Sequence, residues 1–121
     1  MNVAIIGAGL IGRKRANALP KGVRLFTVCD VDLVKAKDFA RDFKCEIEMD
    51  WRKVVKDSKI QVLIVSTINK FLSPIAKEAI LNGKHVLVEK PGARNLKELD
   101  KIAVVYNGKT VVMFGYNHRY H

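Results

Sequence analysis

The apolar run Val3-Ala4-Ile5-Ile6 ends directly on Gly7-Ala8-Gly9-Leu10-Ile11-Gly12, and this junction restricts the fold more than any other stretch of the 121 residues. A strand with one wet face alternates apolar and polar residues; an unbroken apolar run bounded by glycine is the pattern of a strand buried on both faces. Such a strand needs helices above and below it. Similar runs recur at Leu25-Phe26-Thr27-Val28-Cys29, Val62-Leu63-Ile64-Val65, Val86-Leu87-Val88 and Val111-Val112-Met113-Phe114, with a weaker one around Cys45-Glu46-Ile47. Six strands are therefore expected.

Between the runs lie apolar residues at helical spacing: Leu33, Ala36, Ala40 and Phe43; Trp51, Val54 and Val55; Ile75, Ala76, Ala79 and Ile80; Leu96, Leu99, Ile102, Ala103 and Tyr106. Trp51, Phe39 and Phe43 fall on these stripes and read as core. Caps agree with the boundaries. Asp32 precedes Leu33, Asp50 precedes Trp51, and Asn95 with Glu98 resembles a capping box, while Gly83 and Gly108 stand where a left-handed residue would end a helix. Alternating strands and helices joined by right-handed crossovers give an α/β doubly wound parallel sheet, a Rossmann fold, with strand order 3-2-1-4-5-6 favoured over the flavodoxin-like order. Residues 1–115 form one domain in this reading, and the polar, aromatic stretch 116–121 is an exit segment.

The 22 Lys and Arg against 12 Asp and Glu leave a net charge of +10, which attracts polyanions in general. The cations are dispersed, with Arg13-Lys14-Arg15 the densest group, and no basic helix is interleaved with aromatics, so nucleic acid is not the expected partner. No apolar run approaches the roughly 20 residues of a membrane span, and the start lacks the layout of a signal peptide. A cytoplasmic protein is expected. Cys29 and Cys45 would lie at opposite edges of neighbouring parallel strands, beyond the roughly 7 Å limit for bridging Cα atoms, and so would stay reduced.

Gly7, Gly9 and Gly12 form G-x-G-x-x-G directly after the first strand and at the opening of a helix, the context in which this otherwise weak pattern gains meaning. Gly7 would make the tight turn, Gly9 would admit a pyrophosphate to the backbone, and Gly12 would bring the helix close to the sheet. The N–H groups of the first helical turn, around Leu10 and Ile11, would then hold the phosphates of a dinucleotide. Asp30 closes the second strand, where the pattern expects an acid to accept hydrogen bonds from the adenine ribose hydroxyls. A carboxylate there repels a 2′-phosphate, which favours NAD, with NADP as the alternative because Arg13 or Lys14 could attract a phosphate.

Glu89-Lys90-Pro91 follows the fifth strand at the carboxyl edge of the sheet, the edge where such folds bind ligands. A Lys near a nicotinamide can orient an alcohol or relay its proton, although a Lys before Pro also occurs for structural reasons. Ser66 and Thr67 have no His-Asp constellation beside them, which argues against a nucleophilic hydrolase. His118 and His121 lack a third ligand, and no metal is expected.

The glycine pattern, Asp30, Ser66-Thr67-Ile68-Asn69, the run Gly83-Lys84-His85-Val86-Leu87-Val88-Glu89-Lys90-Pro91 and the closing Gly115-Tyr116-Asn117-His118-Arg119-Tyr120 together resemble the amino-terminal domain of the glucose-fructose oxidoreductase, inositol dehydrogenase and rhizopine catabolism family (Gfo/Idh/MocA). The resemblance spans the chain, and Gly83 to Pro91 is its most specific part. It implies that Lys90 is catalytic, that Asn69 approaches the cofactor, and that Ser66, Thr67 and Glu89 belong to the cofactor site. Two positions depart from the family pattern: Ile68 stands where Pro is usual and Leu72 where His is usual, so the loop after the fourth strand is expected to differ in shape. Members continue into a second α+β domain that supplies most of the substrate pocket. Activity is thus expected to be hydride transfer between NAD(P) and a sugar, polyol or related secondary alcohol, with the rest of the pocket coming from further chain, a homo-oligomer or a partner chain. The alternative is a non-catalytic module that binds or senses the dinucleotide.

Overall fold

The computed structural model describes residues 1–67, 69–89 and 109–114. Six parallel strands form one sheet in the order β3-β2-β1-β4-β5-β6. They are β1 (Asn2–Ile6), β2 (Arg24–Cys29), β3 (Glu46–Glu48), β4 (Val62–Val65), β5 (His85–Val88) and β6 (Val112–Phe114). Four helices are interspersed: α1 (Leu10–Asn17), α2 (Leu33–Phe43), α3 (Trp51–Lys56) and α4 (Asn69–Leu81). The strand order reverses between β1 and β4, which is where a doubly wound sheet opens a crevice for a ligand.

The unbroken apolar runs are explained by two separate cores. Ala4 and Ile6 of β1, with Leu63 and Val65 of β4, pack on one face against Val54 and Val55 of α3 and Leu72, Ile75, Ala76 and Ile80 of α4. Val3, Ile5, Val28 and Ile64 point to the other face, against Phe39 of α2. Alternate side chains thus go to opposite faces and both faces are dry. In β2 one extra residue, Phe26, interrupts the register between Val3–Leu25 and Ala4–Thr27, a bulge of the kind that adds local twist.

Capping differs among the helices in a way that matters for function. Asp32 accepts from Val34 N and Lys35 N at 3.0 and 3.2 Å, and Asp50 accepts from Arg52 N at 2.9 Å. α1 has Gly9 at its N-cap and no side-chain cap. At their ends, α4 is followed by Gly83 at φ 76°, as the sequence predicts, whereas α2 closes on Lys44 in the left-handed region at φ 56°, a site where glycine would be less strained.

α4 begins at Asn69, well before the Ile75 stripe that announces it, and carries Pro74 within. Its extra first turns convert the expected loop after Thr67 into helix. Leu72 consequently lies in the apolar core, 1% exposed, rather than in a ligand loop, so this departure from the family pattern is absorbed by packing. Ile68, Lys90, the expected helix from Leu96 to Tyr106 with its Asn95 cap, Gly108 and the 116–121 segment lie outside the described residues. Both thiols are free, Cys29 buried and Cys45 half-buried. No helix among the described residues is long and apolar enough to cross a membrane.

Candidate functional site

A cleft of about 780 Å³ opens at the carboxyl edge of the sheet, over the point where the strand order reverses. Gly7, Gly9, Ile11, Asp30, Ser66 and Thr67 line it, so six of the residues expected from the sequence converge. Parallel strands explain this: β1, β2 and β4 all release their chains at the same edge.

The glycine loop is built by contacts that only glycine permits at two of its three positions. Gly7 sits at φ 112°, its N–H donates to the Cys29 carbonyl at 2.7 Å, and a Cβ there would lie 2.7 Å from the Ser66 carbonyl oxygen. At Gly12 a Cβ would collide with the Gly7 carbonyl, which confirms that this residue lets α1 fold back against the loop. Gly9 is different. A Cβ there would meet no protein atom within 4 Å, and Gly9 faces the cleft. The space beside Gly9 is therefore open to the cleft.

Leu10, 77% exposed, and Ile11 form the first turn of α1 with Gly12. Their N–H groups are among the first of a helix, which have no intrahelical acceptor, and no side chain caps them. An uncapped helix amino terminus after a clear glycine cradle suits an anionic group such as a pyrophosphate.

Asp30 both lines the cleft and holds the loop together. Its Oδ2 accepts from Ala8 N and its Oδ1 from Asp32 N, each at 2.8 Å. Each carboxylate oxygen keeps a second lone pair for a ligand hydroxyl. Ser66 Oγ donates toward the Ile6 and Gly7 carbonyls at 3.1 and 3.2 Å, so this hydroxyl ties β4 to the glycine loop. Thr67 completes that wall. Asn69 is the first residue of α4, at the same edge.

Glu89 is placed elsewhere. Its carboxylate is buried, does not line the cleft, and pairs with Arg15 of α1 at 2.6 Å. Arg13 is committed too: Nη1 pairs with Asp42 at 2.8 Å and the guanidinium lies 5.6 and 5.8 Å from the Phe39 and Phe43 rings. That pairing holds the Asp42 carboxyl below its ordinary pKa and engages Arg13, one of the two cations, with Lys14, considered for attracting a phosphate.

Sequence reasoning missed Trp51, Met49 and Arg52, which line the cleft. Trp51 does pack on the core as expected, but it is only partly buried, and Arg52 lies 5.0 Å over its ring. The signal was present in the topology, because Asp50 starts α3 immediately after a strand and so sets its first turn at the ligand edge. Burial pushes the Cys29 thiol, another lining residue, up to about 12. A thiol held protonated this way is no nucleophile. Among the described residues no group of His, Cys, Asp and Glu could hold a metal ion.

The Gfo/Idh/MocA family model, an oxidoreductase family with an NAD-binding Rossmann fold, matches residues 1–118. Inositol 2-dehydrogenase 4 of Saccharopolyspora erythraea is 30% identical over 99% of this chain and 37% of its own length. Levoglucosan dehydrogenase of Pseudarthrobacter phenanthrenivorans is 29% identical over 98% of this chain and 34% of its own. The crystal structure of myo-inositol dehydrogenase from Lactobacillus casei, in complex with NAD(H) and myo-inositol, superposes with a TM-score of 0.89 at 25% identity, covering 99% of this chain and 38% of that one. The chain thus spans only about a third of the length of these relatives. The parallel sheet in its 3-2-1-4-5-6 order, the clear glycine cradle and this match agree, and the chain belongs to the Gfo/Idh/MocA oxidoreductase family as an NAD-binding Rossmann domain.

Proposed function

We propose that the cleft binds NAD(H) in preference to NADP(H), and that the domain serves a cytoplasmic dehydrogenase acting on a sugar, polyol or related secondary alcohol. The observation that carries the reading is the conjunction at one edge of an uncapped helix amino terminus, a glycine with nothing beside its missing Cβ, and the Asp30 carboxylate. Gly9, Leu10, Ile11 and Gly12 would receive the pyrophosphate through backbone N–H groups. Asp30 would accept from the adenine ribose hydroxyls and disfavour a 2′-phosphate. Thr67 and Asn69 would border the cofactor after β4. Glu89 supports the site through its neighbour rather than by contact.

When bound, the dinucleotide supplies the hydride acceptor or donor. Lys90, the next residue in the sequence after Glu89, orients the substrate alcohol or takes its proton. Residues 1–115 constitute the cofactor domain and 116–121 lead toward a second domain, a reading supported by relatives nearly three times as long as this chain. That domain, in the same or an associated chain, supplies most of the substrate pocket. Unpaired Cys29 and Cys45 fit a reducing compartment.

Calorimetric titration of the protein with NADH and NADPH tests the binding half, and reduced-cofactor absorbance during incubation of the full-length protein with a panel of polyols tests the chemistry. Tighter NADH binding and polyol-dependent reduction of NAD are expected. Binding of neither dinucleotide would refute the site.

A further inference from the structure

Glu89 follows β5 and is 4% exposed, yet its carboxylate turns away from the cleft. It accepts from Arg15 Nε at both oxygens, 2.9 Å each, and from Arg15 Nη2 at 2.6 Å. The two residues are 74 positions apart, and β1 and β4 separate β2 from β5 in the sheet above which α1 runs. Neither side chain lines the cleft.

The Glu89 carboxylate is buried while Arg15 is 38% exposed; such a half-buried pair is a weak stabiliser, because desolvation of the buried charge offsets much of the attraction. What the fork of an arginine on a carboxylate does supply is fixed geometry. Here the geometry joins two parts of the site. The α1 helix presents the uncapped N–H groups at one end and Arg15 in its last turn. Glu89 ends the β5 ladder with its own N–H on the Val65 carbonyl at 2.9 Å, and the next peptide bond leads to Lys90. One backbone hydrogen bond would leave that exit free to pivot; the side-chain fork adds a second tether.

We propose that Arg15 and Glu89 form a clamp that fixes the exit of β5 at Glu89, the residue before Lys90 in the sequence, relative to the helix proposed to hold the cofactor. Arg15 is then a positioning residue for hydride transfer. The clamp rests on the reading in which Lys90 orients or deprotonates the substrate. Its hydrogen bond to Glu89 holds the Arg15 guanidinium above its ordinary pKa.

The test uses the full-length protein that carries this domain, with Arg15→Met/Glu89→Met together, Glu89→Gln alone, and Lys90→Ala as the reference. The double variant removes both charges at once and leaves no buried carboxylate unpaired, so it should melt near the native temperature. Its NADH affinity should stay within about threefold of native, whereas kcat on the best polyol should fall about 10–100-fold with KM little changed, the size of loss a small misplacement of a reacting group produces. Amide hydrogen exchange supplies a readout independent of turnover: the Glu89 amide should exchange at least about tenfold faster while the Ile64 and Leu63 amides of the neighbouring strand stay protected. Should the double variant fail to fold, Glu89→Gln keeps the volume and one acceptor, and the same kcat loss at unchanged NADH affinity is expected. Native-like kcat and Glu89 exchange in either variant, beside a Lys90→Ala protein that loses turnover, overturns the clamp alone. Lys90→Ala with undiminished turnover overturns the role given to Lys90, and the clamp with it.

Discussion

Gly9 and Gly12 occupy one loop and make opposite demands on an added methyl group. At Gly12 a Cβ collides with the Gly7 carbonyl and presses on Ile5 Cγ2 and Ser66 Oγ, each 3.2 Å away. Neither backbone nor the Ile5 side chain, which is fully buried, can yield without disturbing β1. Gly12→Ala should therefore carry an overpacking cost of about 1–3 kcal/mol. Each kcal/mol moves the melting temperature of a domain of this size by about 4 °C, so a drop of about 4–12 °C is expected. Gly9 has φ −87° and ψ −165°, backbone that any residue adopts, and open space at its Cβ. Gly9→Ala and Gly9→Val should melt within about 2 °C of native.

The order reverses for binding. A valine at position 9 projects into the cleft and blocks the approach to the first N–H groups of α1; losing two charge-assisted hydrogen bonds at about 1.5–3 kcal/mol each removes about 3–6 kcal/mol. NADH affinity should fall by at least about 100-fold. Trp51 is the only tryptophan and lines the cleft, so energy transfer from its indole to bound NADH follows the titration, and calorimetry follows the melt. An unchanged melting temperature for Gly12→Ala would refute the close-packing argument, and full-strength binding by folded Gly9→Val would place the dinucleotide elsewhere.

Asp30→Asn offers one acceptor oxygen where two are used by Ala8 N and Asp32 N; it should destabilise the protein by about 1–3 kcal/mol and move the NADPH-to-NADH affinity ratio toward NADPH, and an unchanged ratio in a titration would remove Asp30 from cofactor selection. Lys84 is 6% exposed and donates to the Asp57 and Ile60 carbonyls at 2.6 Å each, with burial lowering its pKa and Asp57 opposing the shift. Lys84→Met strands those two acceptors, so the urea midpoint should fall by the equivalent of about 1–3 kcal/mol; a native midpoint would show that water replaces the ammonium at no cost. Burial raises Cys29 to about 12 and Cys45 to about 11 from 9.0. Both thiols should resist alkylation at mildly alkaline pH until urea unfolds the chain, and rapid labelling of Cys29 in the native state would contradict its burial. Because the folded values lie above the unfolded ones, the thiols' contribution to stability is complete below pH 9 and declines as pH rises from there, by about 1.4 kcal/mol per unit per thiol within each window.

Much of this architecture could be read from the sequence because the sheet is parallel and doubly covered. Residues such as Ile5 and Ile6 are both apolar since each faces a different core, and that local property announces a long-range arrangement. Gly7, Gly12 and Asp30 were legible for a related reason: each does its work within the strand-turn-helix unit that contains it or the one beside it. The start of α4 was not, because Pro74 interrupts the segment ahead of Ile75, although Leu72 extends the same apolar stripe by one turn and docks in the core. Nor was Lys44 as a helix end, where tertiary packing of β3 beside β2 fixes the path and a lysine accepts the left-handed backbone.

The electrostatics show the same division between local and long-range information. Arg13-Lys14-Arg15 is a single basic patch in the sequence, but successive residues of a helix turn by about 100°, so positions 13 and 15 point about 200° apart. Arg13 goes to Asp42 on α2 and Arg15 to Glu89 beyond β5. Lys84, another cation in a run that looks uniformly solvated, is consumed by the carbonyls at the end of α3. A net charge of +10 therefore says little about where an anion binds. Arg13 and Arg15 are spent on the fold, and the proposed phosphate site is the positive end of α1 itself, uncapped and unobstructed at Gly9, with Lys35 and Arg52 also lining the cleft. Composition supplies the attraction at a distance; in the proposed site the backbone of one short helix meets the phosphates.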